Sequence, residues 1–205
     1  MSKMVKRQVY YFDKPGEGNT ELVVQAVSQR IENGGVNKVI VASTSGETAA
    51  KFARGLKGKG EVICVSQPPY RREWGEEWPC LKHEFRQELE ELGVAIIDRA
   101  PYVFHNSVLE SARWSDAFAE RLVKETLYFF GQGMKVAVEV ALIGVSCGYV
   151  TPFEDVIGVG GSGNGADTAI VLRAVYPACL FDKDPGKRLE VREIIAMPTS
   201  KKWWE

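Results

Sequence analysis

Short runs of consecutive apolar residues alternate with stretches that carry one apolar face at helical spacing, and this alternation predicts the elements of the chain's first half. Val39-Ile40-Val41-Ala42, Val62-Ile63-Cys64-Val65 and Gly93-Val94-Ala95-Ile96-Ile97 read as short strands buried on both faces. Between them, Ala49, Phe52, Ala53 and Leu56 mark a helix over 48–57 that stops at Gly58-Lys59-Gly60, and Leu81, Phe85, Leu89 and Leu92 mark another. Upstream, Val9-Tyr10-Tyr11-Phe12 is strand-like, 13–19 is a polar loop, and Thr20 stands where an N-cap belongs. The helix it opens buries Val23, Val24, Val27 and Ile31 and ends at Gly34-Gly35. Strand, helix and strand in this order form a β-α-β unit, which requires a parallel sheet with both faces covered.

The second half is less regular. Val108, Ala112, Ala119, Leu122, Val123 and Leu127 trace a long helix up to Gly131-Gln132-Gly133. Residues 134–149 are apolar on nearly every side, as a central helix would be, although Val136, Val138 and Val140 also alternate; the length and the glycines at the ends favour the helix. Glu139 lies in its middle. Lys135, one turn earlier, makes an internal ion pair the plain expectation, and the other is a carboxylate aimed into a ligand pocket. Val156 to Gly161 and Thr168 to Arg173 read as strands, and the last strand-like run, 189–196, is expected at a sheet edge ahead of Pro198 and an exposed Trp203-Trp204 tail. Residues 67–79 combine three prolines with Tyr70, Trp74 and Trp78 and read as a long irregular loop, either a surface flap or a lid that meets a ligand. A second loop spans 98–106.

A length of 205 residues with 45% hydrophobic and 26% charged positions suits one globular domain spanning 1–205. The balance of 26 basic and 27 acidic residues, interleaved without long like-charge runs, argues against a nucleic-acid partner. The N-terminal residues lack a signal peptide's apolar segment and no apolar run reaches membrane-spanning length, so the expected location is cytoplasmic, with no membrane partner. Cys64, Cys80, Cys147 and Cys179 are far apart, without a C-x-x-C pair and with only His83 and His105 to join them. No metal site is expected, and the thiols read as core residues.

The candidate chemistry sits in two loops. Ser43-Thr44-Ser45-Gly46-Glu47-Thr48 joins a strand to a helix, where unpaired backbone N–H groups, the positive end of the helix dipole and hydroxyl donors suit a phosphate. The same residues also serve an ordinary N-cap, and the spacing is not that of a Walker A loop. The other loop runs from Gly158-Val159-Gly160-Gly161 through Ser162-Gly163-Asn164-Gly165-Ala166-Asp167-Thr168. Its glycines allow close backbone approach to something bound, or form a mobile turn between strands. It satisfies G-x-G-x-x-G, but the β-rich segment that follows does not fit the helix a Rossmann fingerprint needs. Asp167 and Thr168 are its polar anchors for a ligand.

Together with Tyr11-Phe12-Asp13-Lys14-Pro15-Gly16, Asn19-Thr20 and Gly131-Gln132-Gly133-Met134-Lys135-Val136, these loops resemble stand-alone relatives of the pyruvate kinase C-terminal α/β domain, found largely in archaea and bacteria. The resemblance covers nearly the whole chain and implies a three-layer α/β/α sandwich with a mainly parallel, mixed sheet. In pyruvate kinase, the loop resembling Thr44 to Thr48 holds a phosphate of the allosteric sugar bisphosphate, and stand-alone relatives are expected to hold FMN. Carried over, Ser43, Thr44, Ser45, Gly46 and Thr48 would cradle the phosphate. Gly160, Gly161, Gly165, Asp167 and Thr168 would border the ribityl chain or ring, with Asn19, Thr20 and Glu139 as further contacts. The catalytic barrel of pyruvate kinase needs far more chain, so that activity is not implied. The loops at 67–79 and 99–106 depart from the relatives. The functions this leaves are an FMN-binding protein with an unidentified redox reaction, a sensor of a phosphorylated metabolite, and a non-redox sugar-phosphate enzyme using Glu139, Asp167 or His105. A homo-oligomer remains open.

Overall fold

A computed structural model describes residues 4–105 and 118–202. Seven strands form one mixed sheet in the order β1-β7-β6-β5-β2-β3-β4. They are β1 (Tyr10–Phe12), β2 (Lys38–Ala42), β3 (Glu61–Val65), β4 (Ala95–Ile97), β5 (Asp155–Gly160), β6 (Thr168–Arg173) and β7 (Glu190–Pro198). Only β6 runs against the others, pairing antiparallel with both β5 and β7, so the sheet is mostly parallel as expected. The helices are α1 (Thr20–Glu32), α2 (Glu47–Gly55), α3 (His83–Glu91), α4 (Phe118–Tyr128) and α5 (Gln132–Ser146).

Alternation along each strand divides the core in two. Val39 and Val41 of β2, Val62 and Cys64 of β3, and Ile157 and Val159 of β5 face α1, α2 and α3. Ile40, Ile63, Val156, Ile170 and Leu172 face the other way, onto α5. Every α5 residue from Gln132 to Val145 except Val136 is buried, which explains a sequence apolar on nearly every side. The α/β layering read from the sequence is present, and among the described residues no helix is long and apolar enough to cross a membrane.

Three expectations change. The final strand is not at the edge: β7 lies between β6 and β1, because the short N-terminal strand adds to it in parallel, Tyr10 opposite Ala196 and Phe12 opposite Pro198. The strand-like run 9–12 is legible in the sequence, but its pairing with the last strand is not, and β1 supplies the true edge. Thr20 does not cap α1 but is its first residue, after Asn19. Its hydroxyl donates to the Glu17 carbonyl at 2.7 Å and accepts from the Ala166 amide at 3.0 Å. Of the four cysteines only Cys64 is a core thiol, its pKa pushed up to about 12 by burial; Cys80 and Cys179 are half-buried and Cys147, just past α5, is exposed. The predicted helix from Val108 is described only from Phe118 onward, and the Trp203-Trp204 tail lies outside the described residues.

Candidate functional site

The parallel strands bring their carboxyl ends to one edge of the sheet. The loops 13–19, 43–46, 66–82, 98–105 and 161–167 therefore gather there, with the N-termini of α1, α2 and α5. β2 and β5 are neighbours, Val41 opposite Val159, so the two loops singled out in the sequence leave strands about 4.8 Å apart. From β2 the chain proceeds to β3 and β4, then returns through α4 and α5 to β5 on the other side of β2. In open α/β sheets such a reversal at the strand ends is the usual ligand position.

The first loop turns through Gly46, left-handed at φ 96°, into α2. A Cβ at Gly46 would lie 2.6 Å from Leu81 Cδ1 and 2.7 Å from Phe85 Cβ, so this glycine admits α3 and its lead-in rather than a ligand. Ser43 is buried and its Oγ accepts the Ala49 amide at 3.1 Å, doing from outside the helix what an N-cap would do. Thr44 is exposed and Ser45 half-buried at the positive end of α2, where Ser45 Oγ accepts from the Glu47 amide at 3.4 Å, and Thr48 is nearly covered in its first turn. Glu47 would compete with an incoming anion, but Lys51 draws its carboxylate away at 3.1 Å.

The base of the glycine-rich loop is filled by the protein itself, although Ser162 Oγ is buried there without a hydrogen-bond partner. A Cβ at Gly160 would sit 2.3 Å from the Gly133 carbonyl of α5, one at Gly161 would meet the Gly165 carbonyl at 2.4 Å, and one at Gly165 would meet Thr20 Oγ1 at 2.5 Å. These glycines let α5, the loop's own return and α1 pack closely. Asp167 is fully buried: its Oδ2 accepts from the Gly16 and Ser162 amides at 3.0 Å each, and its Oδ1 accepts from the Thr168 hydroxyl at 2.8 Å. The carboxylate thus binds loop 13–19 to loop 161–167 beside Gly133 in the first turn of α5. Asn19 is spent within its own loop, donating to the Lys14 carbonyl at 2.8 Å. The residues predicted around the second loop do come together, as a junction between loops.

Glu139 lies apart from them. Its Oε2 accepts from Lys135 Nζ at 2.8 Å and its Oε1 from the backbone amides of Val103 and Phe104 at 3.0 and 2.9 Å, all at a buried position. The ion pair expected from the i, i+4 spacing forms, and it anchors loop 98–105.

Sequence reasoning passed over two direct partners of the first loop, Ser66 and Gln67. Gln67 donates to Thr44 Oγ1 at 3.0 Å and accepts from the Tyr102 hydroxyl, while the Ser66 hydroxyl donates to the Thr44 carbonyl at 2.7 Å. Burial raises the Tyr102 pKa, keeping this phenol a donor. Among the described residues no cluster of His, Cys, Asp and Glu could hold a metal ion. A groove of about 500 Å³ lies elsewhere, along α1 between Glu21 and Glu32, and includes none of the predicted site residues. No protein-family model matches the chain.

Proposed function

We propose that this chain is a binding protein for a phosphorylated small molecule, FMN being the first candidate, with the phosphate at the N-terminus of α2 between Thr44 and Thr48. The observation that carries this reading is the hydroxyl-flanked positive end of α2 at the sheet edge where the crossovers from β2 and into β5 diverge. The resemblance to the pyruvate kinase C-terminal domain family points to the same loop. The phosphate end of FMN fits these residues. The isoalloxazine ring, which would supply the redox chemistry when bound, does not fit against Gly160, Gly161 or Gly165, because protein atoms already occupy their open sides.

A regulatory sensor of a phosphorylated metabolite is the second reading, favoured by the state of the acidic groups. Asp167 and Glu139 are both engaged by internal donors, which leaves neither carboxylate free as an acid or base for a sugar-phosphate enzyme. The test is calorimetric titration with FMN, ribose 5-phosphate and inorganic phosphate, on the purified protein and on the Ser45→Ala/Thr48→Ala double variant. The expected result is a loss of about tenfold in affinity for every phosphate-bearing ligand, with the fold kept. Equal affinity in the variant defeats the loop assignment. An absorption spectrum of the freshly purified protein separates FMN from a colourless metabolite.

A further inference from the structure

Loops 67–79 and 98–105 form a rigid aromatic and arginine cluster beside the first loop. Trp74 ends a short 3-10 turn, Pro69–Trp74. Its indole stacks on Tyr102 at 5.6 Å with planes 10° apart and meets Tyr70 and His105 edge-on at 5.6 and 6.2 Å, while the Arg71 guanidinium lies 5.5 Å from the ring centre. Trp78 is fixed by donating from Nε1 to the Gln67 carbonyl at 3.0 Å and the Asp98 carbonyl at 3.3 Å, and the guanidiniums of Arg72 and Arg99 each lie 5.2 Å from its ring centre.

Two features of this cluster leave room for a further partner. Trp74 is gripped on several sides yet remains 44% exposed, whereas an indole held for core packing alone is normally covered. Arg71 Nε is buried without a hydrogen-bond partner, although the same guanidinium reaches Glu76 at 2.5 Å. Both lie one short relay from Thr44: Thr44 to Gln67, Gln67 to Tyr102, and Tyr102 stacked on Trp74. A pre-ordered aromatic surface costs little further entropy when a flat ligand settles on its exposed part, and the guanidiniums over the Trp74 and Trp78 rings suit an electron-rich, negatively charged molecule.

Building on the phosphate reading above, we propose that Trp74, with Arg71, is the specificity-determining wall of the same site and takes the planar heteroaromatic ring of a phosphorylated ligand, a flavin or purine mononucleotide. The test is titration of the intact protein and of the Trp74→Ala and Trp74→Phe variants with FMN, AMP and ribose 5-phosphate, the last having the phosphate without the ring. The expected result is about tenfold weaker binding of the preferred ring ligand by Trp74→Ala, substantial recovery in Trp74→Phe, and unchanged affinity for ribose 5-phosphate. Whichever of FMN and AMP binds more tightly to the parent identifies the ring. Equal ring-ligand affinity in parent and Trp74→Ala overturns the wall while leaving the phosphate reading intact, provided the Ser45→Ala/Thr48→Ala variant still weakens binding. Parent protein that binds FMN and AMP no better than ribose 5-phosphate also overturns the wall alone, and failure to bind any of the three overturns both. Loss of a homodimer in Trp74→Ala without any change in ligand affinity reassigns Trp74 to a contact between copies of the chain. Circular dichroism confirms that both variants fold.

Discussion

The loops that leave β2 and β5 start from adjacent strands at the same edge and carry similar residues, glycine with serine, threonine and an acid. Their polar groups point in opposite senses. In 161–167, Ser162 and Asp167 are buried, with Thr168 just beyond; Asp167 closes onto backbone amides of its own and a neighbouring loop, while Ser162 Oγ is buried without a hydrogen-bond partner. In 43–46, Ser43 is turned inward, whereas Thr44 is exposed with its Oγ1 accepting from Gln67, and Ser45 Oγ accepts the Glu47 amide at 3.4 Å. Glycine density therefore reports that backbone passes close to something. Each donor and acceptor has then to be taken in turn: protein satisfies Asp167 completely, whereas Ser162 Oγ in the same loop has no partner.

The sharpest way to break this comparison is to remove Asp167. If the glycine-rich loop is a structural junction, Asp167→Ala leaves the Gly16 and Ser162 amides and the Thr168 hydroxyl without their acceptor in a dry position, at a cost of at least about 3 kcal/mol. Denaturant unfolding should show that loss, and a variant of parent stability that merely loses ligand affinity would turn the loop back into a binding site. Gly160→Ala comes next. Its added methyl meets backbone of α5 rather than a flexible side-chain end, so α5 has to move off the sheet, with an expected cost of about 2 kcal/mol in thermal unfolding.

Much of this edge was legible in the sequence, and the misreadings have physical causes. The buried strands β2 and β3 and the helix α2 between them follow from periodicity, α5 from its length and glycine-bounded ends, and the Lys135–Glu139 pair from i, i+4 spacing. The partner that completes Glu139 does not, because the Val103 and Phe104 amides come from a loop 35 or 36 residues away. The position of β7 was misread for a similar reason: the three residues of β1 that cover its end come from the other terminus of the chain. Residues 67–79 were recognisable as an aromatic loop, but the Thr44–Gln67–Tyr102 connection that ties it to the phosphate loop exists only in three dimensions.

The smallest test lies at the tip of the glycine-rich loop, where its two kinds of glycine separate. Gly163 has φ of 137° and nothing within 4 Å of an added Cβ, in contrast to Gly160, whose methyl would enter α5. Gly163→Ala is therefore expected to cost only the backbone strain of a left-side φ, about 1 kcal/mol, and to leave the contact between α5 and the sheet intact. The neighbouring exposed Asn164→Ala should stay within about 0.5 kcal/mol of the parent. Measured by hydrogen exchange, opening in Gly163→Ala should be confined to residues 162–165, whereas Gly160→Ala should also raise exchange in the first turns of α5. If the two variants open the same residues to the same extent, the tip and the base of the loop are one cooperative unit, and filling by protein atoms does not distinguish its glycines.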